Sequence, residues 1–256
     1  MKDQFEAVLT TLLRLQVALY ACHERMAAGT DAEALHDLRV TLRRLRSLLR
    51  PLRKLPACAQ LQQRAAAFGH LSGPVRDLEV LLAHLQAKGP ADAFRRRQPQ
   101  VRQGHSALLD SAELSALFAA LDAWPALWRE ARADGQLDGL HKRIRRRLRK
   151  QQRQLAAALL DPAHDRHRLR LLIKRVRYGA EAYPQQAGLS GKVLMRLKQA
   201  QSELGDWHDY FQWLARAEQE PDLQPCVDGW RRAMRATERA ADQALEALRL
   251  VFASGS

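Results

Sequence analysis

Apolar residues recur every three or four positions along most of the chain, which is the spacing of amphipathic helices. No segment shows the strict alternation of apolar and polar residues that predicts a half-buried strand. Gly and Pro residues interrupt the periodic segments where helices would end. The pattern predicts an all-α fold with eight helical segments, at about 3–27, 32–55, 57–87, 91–131, 136–160, 163–183, 191–219 and 222–252.

A few residues inside the longest segments predict local interruptions. Gly69 and the Gly73-Pro74 pair favour a bend in the third segment, because Gly and Pro are the weakest helix formers. Asp110-Ser111 predicts a break in the fourth segment, and Pro125 predicts a further boundary there.

One pattern occurs twice in the chain. Residues 36–46 and 167–177 both begin with His-x-Leu-Arg and continue through the same order of apolar and basic positions. A Gly-x-x-basic-Asp sequence follows each copy, at 73–77 and at 205–209. Such a constant spacing indicates two copies of one structural unit. We predict a single domain over 1–256 that is internally duplicated, with two four-helix bundles related by pseudo-twofold symmetry, one in each half, 1–133 and 134–256.

The repeated segments predict two helices that each carry a cationic stripe. With about 100° between successive residues, the stripes contain His36, Arg39, Arg43, Arg46 and Arg50 in the first copy and His167, Arg170, Lys174 and Arg177 in the second. Residues 38–54 include no Asp or Glu. Cations on one helix face repel each other, and a bound anion relieves that repulsion. We therefore interpret both stripes as surfaces that bind negative charge, and we expect them to face each other.

Each stripe lies beside an apolar face that predicts the buried side of its helix. These apolar residues are Leu38, Leu42, Leu45, Leu49 and Leu52 in the first copy and Leu169, Ile173, Val176 and Ala180 in the second. Glu181 stands where the first stripe has Arg50, so the second stripe is less positive at that end.

Composition and charge agree with an anionic partner. The 256 residues carry a formal net charge of +14 at pH 7, and the isoelectric point is about 10.5. Arg accounts for 34 of the 42 basic residues, and its planar guanidinium binds phosphate oxygens in pairs. The three Cys residues are widely separated, which argues against a disulfide framework. No uninterrupted apolar run approaches the roughly 20 residues of a membrane span, so we expect a soluble cytoplasmic protein with no membrane partner.

Other charged residues are candidates for the same site. Residues 141–153 form a third basic segment, from which Arg143 and Arg147 are expected to contact the anion. Asp77 and Asp209 close the two Gly-x-x-basic-Asp sequences and are expected to hold arginine side chains in position.

Two further interpretations concern basic residues outside this set and the role of the histidines. The run Arg95–Arg97 is interpreted as a solvated helix start. His36 and His167 lack the neighbouring His, Cys or Glu residues of a metal site, so we interpret them as hydrogen-bond donors to phosphate. We predict no metal and no cofactor.

In these motifs the chain resembles the CHAD family, the conserved histidine α-helical domain. The resemblance rests on 36–46, 76–78, 167–178 and 197–209, and it extends over essentially the whole chain. It implies an all-helical, internally duplicated fold with a basic central cavity. It also implies binding of inorganic polyphosphate and, in many bacteria, association with polyphosphate granules.

The resemblance also implies which side chains line the cavity. They are His36, Arg39, Arg43, Arg46, His167, Arg170, Lys174, Arg177 and Lys198. Arg168 departs from the pattern, since Asp37 stands at its position in the first copy. The family is often fused to a CYTH triphosphatase domain, but this chain has no acidic, strand-rich segment of that kind, so hydrolysis is not implied.

We therefore predict non-enzymatic binding of inorganic polyphosphate. The main alternative is nonspecific nucleic-acid binding. Recognition of single strands is disfavoured, because the stripes contain no aromatic residue on which bases could stack. A kinase or phosphatase is disfavoured, because phosphoryl transfer uses metal-binding carboxylates or an activated nucleophile and the stripes contain neither.

Overall fold

The computed structural model describes residues 4–161, 163 and 165–253, and within these residues the chain is helical without any strand. This confirms the predicted all-α class. The helices are α1 (Gln4–Ala28), α2 (Ala34–Leu49), α3 (Pro56–Lys88), α4 (Ala91–Leu109), α5 (Ala112–Ala133), α6 (Leu140–Leu159), α7 (Arg166–Ala182), α8 (Pro184–Ala187), α9 (Gly191–Ala217) and α10 (Val227–Ala253). Two 3₁₀ turns complete them, Arg50–Leu52 and Pro221–Cys226.

Local chemistry explains where several helices end. The α4–α5 break lies at the predicted position, and the Ser111 side chain caps α5 by accepting a hydrogen bond from the Leu114 N–H at 3.3 Å. The second predicted segment extends to 55, whereas α2 ends at Leu49 and a 3₁₀ turn follows. Pro51 lies in that turn and has no N–H to continue the α-helical hydrogen bonds.

The boundary predicted at Pro125 is wrong, because α5 continues through it to Ala133. Trp124 and Trp128 flank this proline and are both fully buried. Burying two such large side chains favours the helix by more than the lost hydrogen bond opposes it. Helix α3 likewise runs through Gly69 and Pro74 as one element.

The chain forms two compact units. The first consists of the described part of Met1–Val80 together with Arg97–Arg146, and the second of Leu81–Arg96 together with the described part of Arg147–Ser256. The chain passes between them within α3, α4 and α6. The predicted division between residues 133 and 134 separates the two sequence repeats and does not refer to these compact units. It stays a prediction.

Leucines of α2 form the centre of the first unit. The predicted apolar face of α2 and its following turn is at most 2% exposed, and burial of each leucine stabilises the fold by about 1.5–3 kcal/mol. Among the described helices, α1 alone is long and apolar enough by length and composition to cross a membrane. In this fold its Val8, Leu12 and Leu19 are buried, whereas Leu13 and Val17 are exposed.

The core of the second unit is built from α6, α7, α9 and α10. Leu169, Ile173 and Val176 of α7 pack with Leu204 of α9 and Leu248 of α10 in one buried cluster. The predicted apolar face of α7 is therefore the buried one. In each unit, burial of this face leaves the neighbouring cationic face of the helix at the edge of the core.

Candidate anion-binding site

Helix α2 presents its cations along the edge of the first unit. His36, Arg39, Arg43 and Arg46 are all half-buried. We call these four residues, together with Arg76 of α3, the first cationic cluster.

Arg39 is held against α3 by hydrogen bonds. Its Nη1 donates to the Gly69 carbonyl oxygen at 3.0 Å and to Ser72 Oγ at 2.7 Å. The Ser72 hydroxyl in turn donates to the Phe68 carbonyl oxygen at 2.8 Å. Burial, followed by the charge of Arg43, lowers the pKa of Arg39, while the exposed Asp77 favours its charged form. Arg39 is thus a fixed, half-buried cation, whose charge is opposed by Arg43 and Arg76 and favoured by Asp77 and Glu79.

Arg46 also lies against α3, at a glycine. A Cβ atom built on Gly69 would lie 3.0 Å from Arg46 Nη1, so the absent side chain makes room for the guanidinium. The buried Arg46 Nε has no hydrogen-bond partner among the described residues. Burial lowers the pKa of Arg46, yet a guanidinium stays protonated at any physiological pH. An anion that accepted from Arg46 would relieve this cost.

His36 lies close to Arg76. Burial, followed by the charges of Arg76 and Arg43, lowers the pKa of His36. Arg76 pairs with Glu79 at 2.9 Å, and its Nη2 is 4.0 Å from Glu33. The charge of Arg76, the basic residue of the first Gly-x-x-basic-Asp sequence, therefore acts on the motif histidine.

In the second unit the motif histidine, His167, is exposed and lies near a histidine of α9. The His167 ring on α7 and the His208 ring on α9 have centroids 5.4 Å apart. Burial, followed by the charges of Arg170, His167 and Lys174, lowers the pKa of His208 to about 4. We call His167, Arg170, Lys174 and His208 the second cationic cluster. As in the first, the basic residue of the Gly-x-x-basic-Asp sequence lies beside the motif histidine.

The two clusters differ in detail. Arg177 Nε lies 3.0 Å from Glu181 Oε1, so the acid at the end of the second stripe partly neutralises it. At the start of the stripes, Asp37 accepts a hydrogen bond from Arg25 Nη2 at 2.9 Å. Arg168, at the corresponding position, is exposed and lines an open groove with residues of α6. The contacts of Arg168 therefore differ from those of Asp37 at the corresponding position.

The remaining candidates lie on several elements. Arg50 is half-buried in the turn after α2, and Asp209 is half-buried on α9. Arg143 is exposed on the part of α6 in the first unit, and Arg147 is half-buried on the part in the second. Lys198 is exposed on α9, about 15 Å along the axis from His208. Anion binding by these residues stays a prediction.

Arg97 is buried, although the sequence predicts an exposed position. Arg95 and Arg96 are largely exposed, as predicted, but Arg97 is only 1% exposed. It lies on the same α4 face as the buried Ala93 and Val101, at four-residue spacing. That spacing is the sequence signal that could have identified Arg97 as buried.

Two residues of the clusters, Arg76 and His208, were absent from the predicted binding set. The sequence signal for both is the basic position of the repeated Gly-x-x-basic-Asp sequence. Within the described part of the chain, no group of three or more His, Cys, Asp or Glu side chains could hold a metal ion.

Comparison with known proteins places the chain in a family. The sequence model of the CHAD domain matches residues 11–218, so the chain belongs to the CHAD family. The CHAD domain from the plant Ricinus communis superposes with a TM-score of 0.73 at 24% identity, over 97% of this chain and 91% of that one. PptA from Streptomyces chartreusis superposes with a TM-score of 0.61 at 22% identity, over 94% and 99%. At these identities the two structures show the fold. No curated protein matches the chain.

Proposed function

We propose that this protein binds inorganic polyphosphate without enzymatic turnover, through its two cationic clusters. One observation carries the proposal: each unit places a motif histidine beside a second basic side chain, next to half-buried Arg and Lys residues. The association of CHAD domains with polyphosphate supports it.

Each cluster gathers several basic side chains on neighbouring helices, at positions that are mostly half-buried. In both, burial and neighbouring cations lower the pKa of a histidine, so each site disfavours additional positive charge until an anion arrives. Polyphosphate suits such sites, because each phosphate presents oxygens that a guanidinium binds in pairs. Its repeated charges also release counterions from several contacts at once.

The finer features of the sequence prediction belong to this proposal. They are the duplication into two four-helix bundles related by pseudo-twofold symmetry, the basic central cavity, the cytoplasmic location and the association with polyphosphate granules. A second basic residue from the Gly-x-x-basic-Asp sequence acts on His36 in the first unit and lies near His167 in the second, which supports the duplication. The expectation that the two stripes face each other stays a prediction.

We also propose that the protein has no phosphoryl-transfer activity of its own. Two carboxylates near the clusters pair with cations, Glu79 with Arg76 and Glu181 with Arg177. Phosphate release measured with several divalent metals tests this part, and turnover would contradict it.

Removal of one cation from each cluster tests the proposed function. The variant R43Q/K174Q should bind polyphosphate at least tenfold more weakly than the original protein, because charge-assisted hydrogen bonds are lost. The matched control is R44Q/R175Q, which removes the same charge from exposed positions of α2 and α7. Calorimetric titration with polyphosphate of defined length measures both, and circular dichroism checks folding.

Equal affinities of the two variants would contradict the proposal, since only net charge would then matter. Competition with duplex DNA and with RNA separates it from the main alternative. If nucleic acid displaces labelled polyphosphate at lower phosphate concentrations than unlabelled polyphosphate does, the protein is a nucleic-acid-binding protein instead.

A further inference from the structure

Helix α9 carries two aromatic rings beside the second cationic cluster, the half-buried Trp207 and the exposed Phe211. Trp207 and Phe211 have ring centroids 5.7 Å apart and an interplanar angle of 27°. Phe211 is 52% exposed. The other four tryptophans, Trp124, Trp128, Trp213 and Trp230, are at most 8% exposed. We call Trp207 and Phe211 the aromatic pair.

The aromatic pair lies directly beside the second cationic cluster. The His208 ring lies 6.3 Å from Trp207 and 6.5 Å from Phe211, nearly parallel to the latter. His167 follows at 5.4 Å from His208. Arg166 lies 6.0 Å from the Trp207 ring centroid, and ion pairs with Glu238 and Asp242 at 3.0 and 2.9 Å hold it there. A stacking surface and a phosphate-binding surface are thus adjacent within one unit.

The first unit has no such pair at the corresponding positions, which are Val75 and Glu79 at the same shift of 132. Val75 packs against Gly104, where an added Cβ would lie 2.9 Å from its Cγ1. The side chain of Glu79 is 9% exposed and contacts Arg76 and His105. The aromatic pair is therefore specific to the second unit and is not a requirement of the repeated fold.

We infer that the second unit binds a nucleoside polyphosphate, whose base stacks on Trp207 and Phe211 while its phosphates contact His167, Arg170, Lys174 and His208. This rests on the proposed function, because the phosphates use the same cluster. Exposed aromatic rings favour a planar base, since every nucleobase offers a π face for stacking. A single aromatic pair next to a cationic cluster matches a ligand that has one base and one phosphate chain.

Adenosine triphosphate and inorganic tripolyphosphate are the two probes, because they carry similar charge and differ in the nucleoside. Without divalent metal, the full chain should bind adenosine triphosphate about tenfold more tightly than tripolyphosphate. Adenosine triphosphate should also quench tryptophan fluorescence, because Trp207 is the least buried tryptophan. Calorimetry measures the affinities and a fluorescence titration the quenching.

Variants assign this difference to the aromatic pair. Phe211→Ala and the double variant W207L/F211A should bring the affinity ratio of the two probes towards one. Met195→Ala is the control, since it shortens another exposed apolar side chain of α9, which is 58% exposed, and should keep the ratio. Because Phe211 is largely exposed, its single variant tests the inference without disturbing the core.

The possible outcomes separate this inference from the proposed function. If R170Q/K174Q weakens tripolyphosphate binding while the original protein binds both probes equally, the inference is overturned and the proposed function stands. If no polyphosphate binds, whatever its length, the proposed function is overturned. If loss of Trp207 weakens the binding of a single-stranded oligonucleotide more than the binding of adenosine triphosphate, the surface is a nucleic-acid-binding surface and the inference is overturned.

Discussion

The protonation of His208 depends strongly on its surroundings. Burial and the charges of Arg170, His167 and Lys174 lower its pKa to about 4. A phosphate among these cations would favour the protonated ring and raise that pKa. Proton uptake and anion binding are therefore expected to be coupled at this position.

The first residue-scale prediction is that polyphosphate affinity rises as pH falls from 7 towards 5. The anion then binds a protein whose His208 takes up a proton, and His208→Gln should reduce this gain. His70→Gln is the control, since His70 is an exposed residue of α3. Titrations at several pH values measure the effect, and an unchanged pH profile in His208→Gln would contradict it.

The same pKa has a consequence for stability in the absence of ligand. Between the ordinary histidine value of about 6.5 and the folded value of about 4, the unfolded chain binds more protons at this residue. The free energy of unfolding should therefore fall as pH decreases through that window. In His208→Gln this decrease should be shallower, and urea denaturation at each pH measures it.

At the scale of single elements, several helix ends follow from local chemistry. The break between α4 and α5 lies at Ser111, whose hydroxyl donates to the Leu108 carbonyl oxygen at 2.7 Å and accepts from the Leu114 N–H. Pro125 and Arg97 show where local chemistry is insufficient. Both positions depend on packing, since Trp124 and Trp128 stabilise α5 across the proline and the buried face of α4 contains Arg97.

Ser111→Ala should therefore lower the free energy of unfolding by about 1 kcal/mol, as the loss of a helix N-cap does. Ser115→Ala is the matched control, because Ser115 is exposed in the first turn of the same helix and should change stability little. Urea denaturation measures both variants. A loss of equal size in the two would show that the capping hydroxyl is not the cause.

For the whole molecule, the net charge of +14 means that long-range electrostatics contributes to the binding of any polyanion. The logarithm of the polyphosphate affinity should fall linearly with the logarithm of salt concentration. Removal of two phosphate contacts in R43Q/K174Q should lower the slope by about 1.4, taking about 0.7 per contact as for single-stranded nucleic acids. R44Q/R175Q should keep the slope, and the same slope in both variants would indicate binding through general charge alone.

Periodicity alone predicted the all-α class, the buried leucine face of α2 and the cationic faces of α2 and α7, because helix geometry places residues three and four apart on one side. Only the tertiary structure placed Arg76 beside His36 and His208 beside His167, since these neighbours are about 40 residues apart in the chain. It also showed the aromatic pair next to the second cluster, where the stripes had offered no aromatic residue. The sequence thus determined which residues share a helix face, whereas packing between helices decided which faces meet and how far their charges are desolvated.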